Sequence, residues 1–84
     1  MKHEKNVITA QFKCGDMFVS KSKSWYFIIT KHHKERQTNA TQRWDCISWN
    51  VDKNEIYTED YTYLRADDAK TRISSFSTDC DINE

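Results

Sequence analysis

Long apolar runs are absent from this sequence. No stretch approaches the roughly 20 consecutive apolar residues that a membrane-spanning helix requires, so a transmembrane helix is excluded. The opening residues, Met1-Lys2-His3-Glu4-Lys5-Asn6, are charged, and neither an apolar segment nor a small-residue cleavage site follows them. A secretory leader is therefore not expected, and Asn39-Ala40-Thr41 carries no weight as a glycosylation signal. Net charge is also absent, because 13 basic residues balance 13 acidic ones. That balance excludes a generally basic nucleic-acid binder and an acidic mimic of DNA. The three cysteines, Cys14, Cys46 and Cys80, are widely spaced, and no pair sits two to four residues apart as zinc sites require. Their odd number and the missing leader lead to the expectation of free thiols in a reducing cytoplasm. There is no proline, no internal repeat and one glycine, Gly15. A lone glycine marks a place where the backbone needs geometry other residues resist, so Gly15-Asp16 reads as a bulge or tight turn entering a strand.

Aromatic residues are what the chain has in surplus. Three Trp, four Tyr and four Phe in 84 residues argue for a folded domain despite the high charge content. A chain of this length buries only about 60–65% of its unfolded surface, so its core is thin. The charge is segregated. Residues 21–43 carry Lys21, Lys23, Lys31, Lys34, Arg36 and Arg43 against the single acid Glu35, a net of +5. Residues 44–68 carry seven acids against Lys53 and Arg65, a net of −5. Neighbouring strands of complementary charge account for this layout, and so does a basic face that meets an acidic partner.

The periodicity is that of strands. Apolar residues nowhere recur at helical spacing for a dozen positions. Aromatic and β-branched runs bounded by polar residues predict strands at 7–13, 17–20, 25–31, 44–51, 55–59 and 71–76. Residues 21–24 and the Asp52-Lys53-Asn54 hairpin signal read as turns, and 32–41 as a polar connection. Residues 61–69 read as a short helical turn. Residues 1–6 are expected to be a flexible N-terminus, 7–76 a single small β domain, and 77–84 a disordered acidic tail.

Gly15-Asp16 entering an apolar strand, a Trp-rich strand after a short turn, the hairpin at 52–54 and a turn before a last short strand resemble an SH3-like barrel over residues 14–76. The resemblance implies an all-β fold, a five-stranded SH3-like barrel or rolled antiparallel sheet, and no particular function.

Chemistry-bearing residues are few. Cys14, His32, His33, Cys46 and Cys80 are the metal-ligand types, but adjacent His32 and His33 on a strand would face opposite ways. No metal and no cofactor is expected. Cys14 beside Lys13 is the one cysteine with a neighbouring cation to favour its thiolate. Glu59-Asp60 and Asp67-Asp68 are paired carboxylates that read as solvated turns. Lys31, His32, His33, Lys34, Arg36 and Arg43, with Tyr57, supply the residue types an RNA-cleaving toxin uses. The same basic stretch beside Trp25, Tyr26 and Trp44 suits single-stranded nucleic acid held by stacking.

Strand alternation separates Trp25, Phe27 and Ile29 from Tyr26 and Ile28, and Trp44 and Cys46 from Ile47, Trp49 and Val51. Both faces of both strong strands are apolar, and so small a domain buries one of them. The sequence therefore points to a non-enzymatic binding module with a protein partner, acting through Trp25, Tyr26, Trp44 and Trp49 with Lys31, Lys34, Arg36 and Arg43. A nucleic-acid partner is the alternative, and no membrane partner is expected. Small chains with little glycine and no proline are common among phage and mobile-element accessory proteins, which leads to the expectation of a viral accessory protein that inhibits or redirects a host protein.

Overall fold

The structure, a computed structural model, describes residues 11–38 and 40–76. Gly15 has φ 94°, a left-handed conformation that glycine adopts without steric penalty, and its N–H donates to the Ile29 carbonyl (2.9 Å). From there the chain enters β1 (Asp16–Val19), followed by β2 (Trp25–His33), β3 (Gln42–Asn50), β4 (Glu55–Leu64) and β5 (Arg72–Ser75). The five strands form one antiparallel sheet in the order β4-β3-β2-β1-β5. Short 3-10 turns at Lys34–Arg36 and Ala66–Thr71 lie in the β2–β3 and β4–β5 connections. The second of them precedes β5, which pairs antiparallel with β1. The molecule is mostly β, a rolled sheet of the expected class.

Tight turns set the register. Asn54, with φ 54°, closes the β3–β4 hairpin in the left-handed region that asparagine tolerates. Its Oδ1 accepts from Trp49 Nε1 (3.2 Å), and Asn50 Oδ1 accepts from the Lys53 N–H (2.9 Å).

Two bulges explain where the structure departs from the sequence reading. Ile29 pairs with Cys46 and Lys31 with Asp45, so Thr30 is an extra residue and β2 runs on to His33. The residues from His32 onward were expected to be connection. In β4, Tyr57 pairs with Ser48 and Asp60 with Cys46, so three steps oppose two. That extra residue shifts the alternation and makes the apolar spacing at 61–64 look irregular. The expected helical turn at 61–64 is strand instead, and the 3-10 turn starts at Ala66. Of the strand expected at 7–13, the described residues 11–13 are not strand, and the rest lies outside the described residues. The expected N-terminal and C-terminal segments, 1–6 and 77–84, also lie outside them.

One face of the sheet holds the core. Phe12, Cys14, Phe18, Ile29, Trp44, Cys46 and Leu64 are buried together. Phe18 stands between Phe12 (5.6 Å) and Phe27 (5.3 Å). Trp44 donates its indole N–H to Gln42 Oε1 (2.9 Å) inside the core and stacks on His32 (4.6 Å), so its polar edge is satisfied where it is buried. At the β1–β5 junction the fully buried Asp16 accepts from Arg72 Nη1 (2.9 Å), Ser75 Oγ (2.7 Å) and the Lys13 N–H (3.1 Å).

The expectation of free thiols holds at Cys46 and is corrected at Cys14, which is disulfide-bonded; Cys80 lies outside the described residues. No helix among the described residues is long and apolar enough to cross a membrane.

Candidate partner-binding face

The second face of the sheet carries an apolar row. Val19 pairs with Tyr26, Tyr26 with Trp49, and Trp49 with Ile56, so four large side chains line up across four strands. Met17, Ile28 and Ile47 form a second row beside the first. Cross-strand neighbours on one face are close enough to pack, and the Tyr26 and Trp49 rings lie 5.9 Å apart. An open groove of about 300 Å³ runs between the rows. Trp49 is 39% exposed and Ile56 66% exposed, so the groove is solvent-facing.

The other end of this face is polar. Lys31 is exposed beside Asp45, its register partner, and Lys34 and Arg36 are exposed on the following 3-10 turn. Arg43 is half-buried, with its guanidinium 4.1 Å over the Tyr61 ring and 5.9 Å from that of Tyr63. His33 sits between two carboxylates, with Nδ1 3.1 Å from Glu35 Oε2 and Nε2 2.8 Å from Asp45 Oδ1. The His33 hydrogen bond holds the Glu35 carboxyl below its ordinary range.

The sequence-derived site residues thus fall into four places. Tyr26 and Trp49 meet in the apolar row. Lys31, Lys34, Arg36 and Arg43 gather at the polar end. Trp25 lies in the core-side register, at its exposed margin, with its ring 5.8 Å from that of Tyr57. Trp44 is corrected: it is 1% exposed and belongs to the core, because its strand position alternates with Asp45 onto the packed face. Sequence reasoning missed Met17, Val19 and Ile56 as members of the rows. The signal was their alternation, hidden because each sits in a short or polar run whose register is visible only once the strands pair.

The constellation considered for RNA cleavage is divided between the faces: His33 lies with Lys31, Lys34, Arg36 and Arg43 at the polar end, and His32 and Tyr57 lie on the core side. Burial pushes the His32 pKa down, with Lys34 and His33 adding to the effect and a Gln37 hydrogen bond opposing it. Tyr57 donates its hydroxyl to Glu55 Oε1 (2.6 Å), which raises the phenol pKa and holds the proton. Burial, with Asp60 and Asp45 nearby, pushes the Cys46 thiol up to about 12, far from a nucleophilic thiolate. Among the described residues no group of three or more His, Cys, Asp or Glu side chains is placed to hold a metal ion.

No family model matches the chain, and no curated protein or solved structure matches it significantly.

Proposed function

We propose that this protein is a small non-enzymatic binding module that presents the outward apolar face of its sheet to a protein partner. The observation that carries this reading is the in-register row of Val19, Tyr26, Trp49 and Ile56. A contiguous apolar patch with a polar margin is the usual form of a partner site, and Trp and Tyr dominate the energetics of such sites. Lys31, Lys34 and Arg36 at the far end supply that margin and would steer an acidic region of the partner. A host protein inhibited or redirected by a mobile-element accessory chain is one setting that suits this mode of action.

Arg43 over Tyr61 is the observation that favours single-stranded nucleic acid as a second reading, since cations and exposed rings hold phosphates and bases. Asp45 and Glu35 beside the same basic residues oppose it by repelling phosphate.

The test is capture from an extract of cells that express the protein, with wild type compared against Trp49→Ala and Ile47→Ala after their melting curves show that both variants fold. Wild type is expected to retain a discrete set of proteins, before and after nuclease treatment, that both variants lose. Folded variants that retain every partner would sink the reading, and capture abolished by nuclease would transfer it to nucleic acid.

A further inference from the structure

We infer that the partner adds an extended strand bearing basic residues to the open edge of the sheet at β4, apart from the acidic region that the polar end would steer, an inference that rests on the face reading above and names the chemistry of that strand. β4 is a terminal strand, and no strand among the described residues pairs with its far side. Natural sheets blunt such edges by keeping them short or by placing lysine or proline on them. The opposite edge follows that rule, since β5 is four residues long and carries Arg72. β4 is ten residues long with no lysine, arginine or proline, and its protection is of one sign, the acids Glu55, Glu59 and Asp60, with a bulge in its second half. Its bulge lies beyond residues 55–57 and leaves that first stretch regular.

The apolar row runs into this stretch. It ends at Ile56, which at 66% is the most exposed of the large apolar side chains described. A cross-strand row that ends on its most exposed member lacks a neighbour on one side. An added strand would place an apolar side chain beside Ile56, extend the groove, and satisfy the edge's backbone groups. Main-chain pairing then supplies affinity while alternate side chains supply specificity.

Charge selects the occupant. β4 carries Glu55, Glu59 and Asp60 and no cation. Pairing of two copies along β4 would bring two strands of three carboxylates and no cation against each other, and like charges across paired strands are destabilising. An extended segment that alternates apolar residues with Lys or Arg meets both the row and the carboxylates.

The experiment titrates isotope-labelled full-length protein with a synthetic peptide of alternating Lys and Val, followed by backbone amide NMR. A Glu-for-Lys counterpart and a form with proline at alternate Val positions serve as comparisons. The basic peptide is expected to shift the amides of residues 55–58 and the Trp49 indole saturably at low salt. It should bind at least about tenfold more tightly than the acidic peptide, with Glu59→Lys narrowing that preference. The proline form should shift nothing, because it cannot pair. Unmoved β4 amides, equal response to the acidic peptide, or sedimentation showing that the free protein is already a dimer joined at β4 would each overturn the inference. Capture that depends on Trp49 but is undiminished by Glu59→Lys would leave the face reading standing and remove the edge; capture indifferent to both substitutions would remove both.

Discussion

Asp16 and Arg72 join the first and last strands, which are neighbours at one edge of the sheet: the carboxylate of Asp16, fully buried, accepts from Arg72 Nη1 at 2.9 Å across 56 residues of chain. Arg72 also donates to the Gln11 carbonyl (2.8 Å), so one side chain ties β5 to the segment that leads into β1. Ser75 completes the arrangement from β5. The short last strand, which has little apolar content of its own, is thus held by polar contacts to a buried anion.

Removing one partner of a buried ion pair leaves an uncompensated charge, at a cost of roughly 3–5 kcal/mol. Arg72→Met strands the Asp16 carboxylate and is expected to destabilise by about 3 kcal/mol, the low end because Arg72 is partly exposed. Asp16→Asn keeps the shape and the acceptor, and should cost less. Urea unfolding measures both. Equal, sub-kcal effects would show that the pair holds nothing.

The two tryptophans of β3 should separate cleanly. Trp44 is 1% exposed and Trp49 is 39% exposed. Trp44→Ala opens a cavity and is expected to cost about 3–5 kcal/mol, enough to unfold a domain this small. Trp49→Ala loses an exposed contact and one indole hydrogen bond, and should cost about 1 kcal/mol or less. Thermal melts followed by circular dichroism decide the matter. Comparable losses at the two positions would contradict the assignment of faces.

That contrast shows what was legible in the sequence. The strong strands declared themselves through aromatic and β-branched runs, and the alternation at 44–49 already separated Trp44 from Trp49. Which side would be packed was not legible, because both sets are apolar. The answer lies in Phe12, Phe18 and Leu64, distant residues that fold onto the Trp44 side. The bulges at Thr30 and at residues 58–59 break the period of two, which hid the end of β2 and the second half of β4. Asp16 looked like a turn residue after glycine; its burial follows from Arg72 and Ser75, which no local pattern connects to it.

The thiol of Cys46 should be inert in the folded protein. With its pKa pushed up to about 12, only about one molecule in ten thousand is thiolate at pH 8. Ellman's reagent is expected to leave Cys46 unmodified at pH 8 until denaturant is added, when it should react at once. Linkage has the matching sign. The unfolded thiol loses its proton near the ordinary 9.0 while the folded one keeps it, so stability falls as pH rises above about 9. Rapid native-state modification would contradict the burial of this side chain.

His32 sets the acid side. Burial against Trp44 disfavours its charged form, so the folded-state pKa lies below the ordinary 6.5. Above 6.5 the ring is neutral in both states and the contribution is flat. As pH falls through 6.5, the unfolded chain takes up the proton first, and stability drains away until the folded-state value is passed. The surrounding groups are Lys34 and His33, which reinforce the shift, and Glu35 and the Gln37 amide, which oppose it. Urea midpoints between pH 7.5 and 5.5 should decline in wild type and decline less steeply in His32→Gln, even though that variant, having lost the ring stack, is less stable at neutral pH. Parallel slopes in the two proteins would show that another group carries the acid sensitivity.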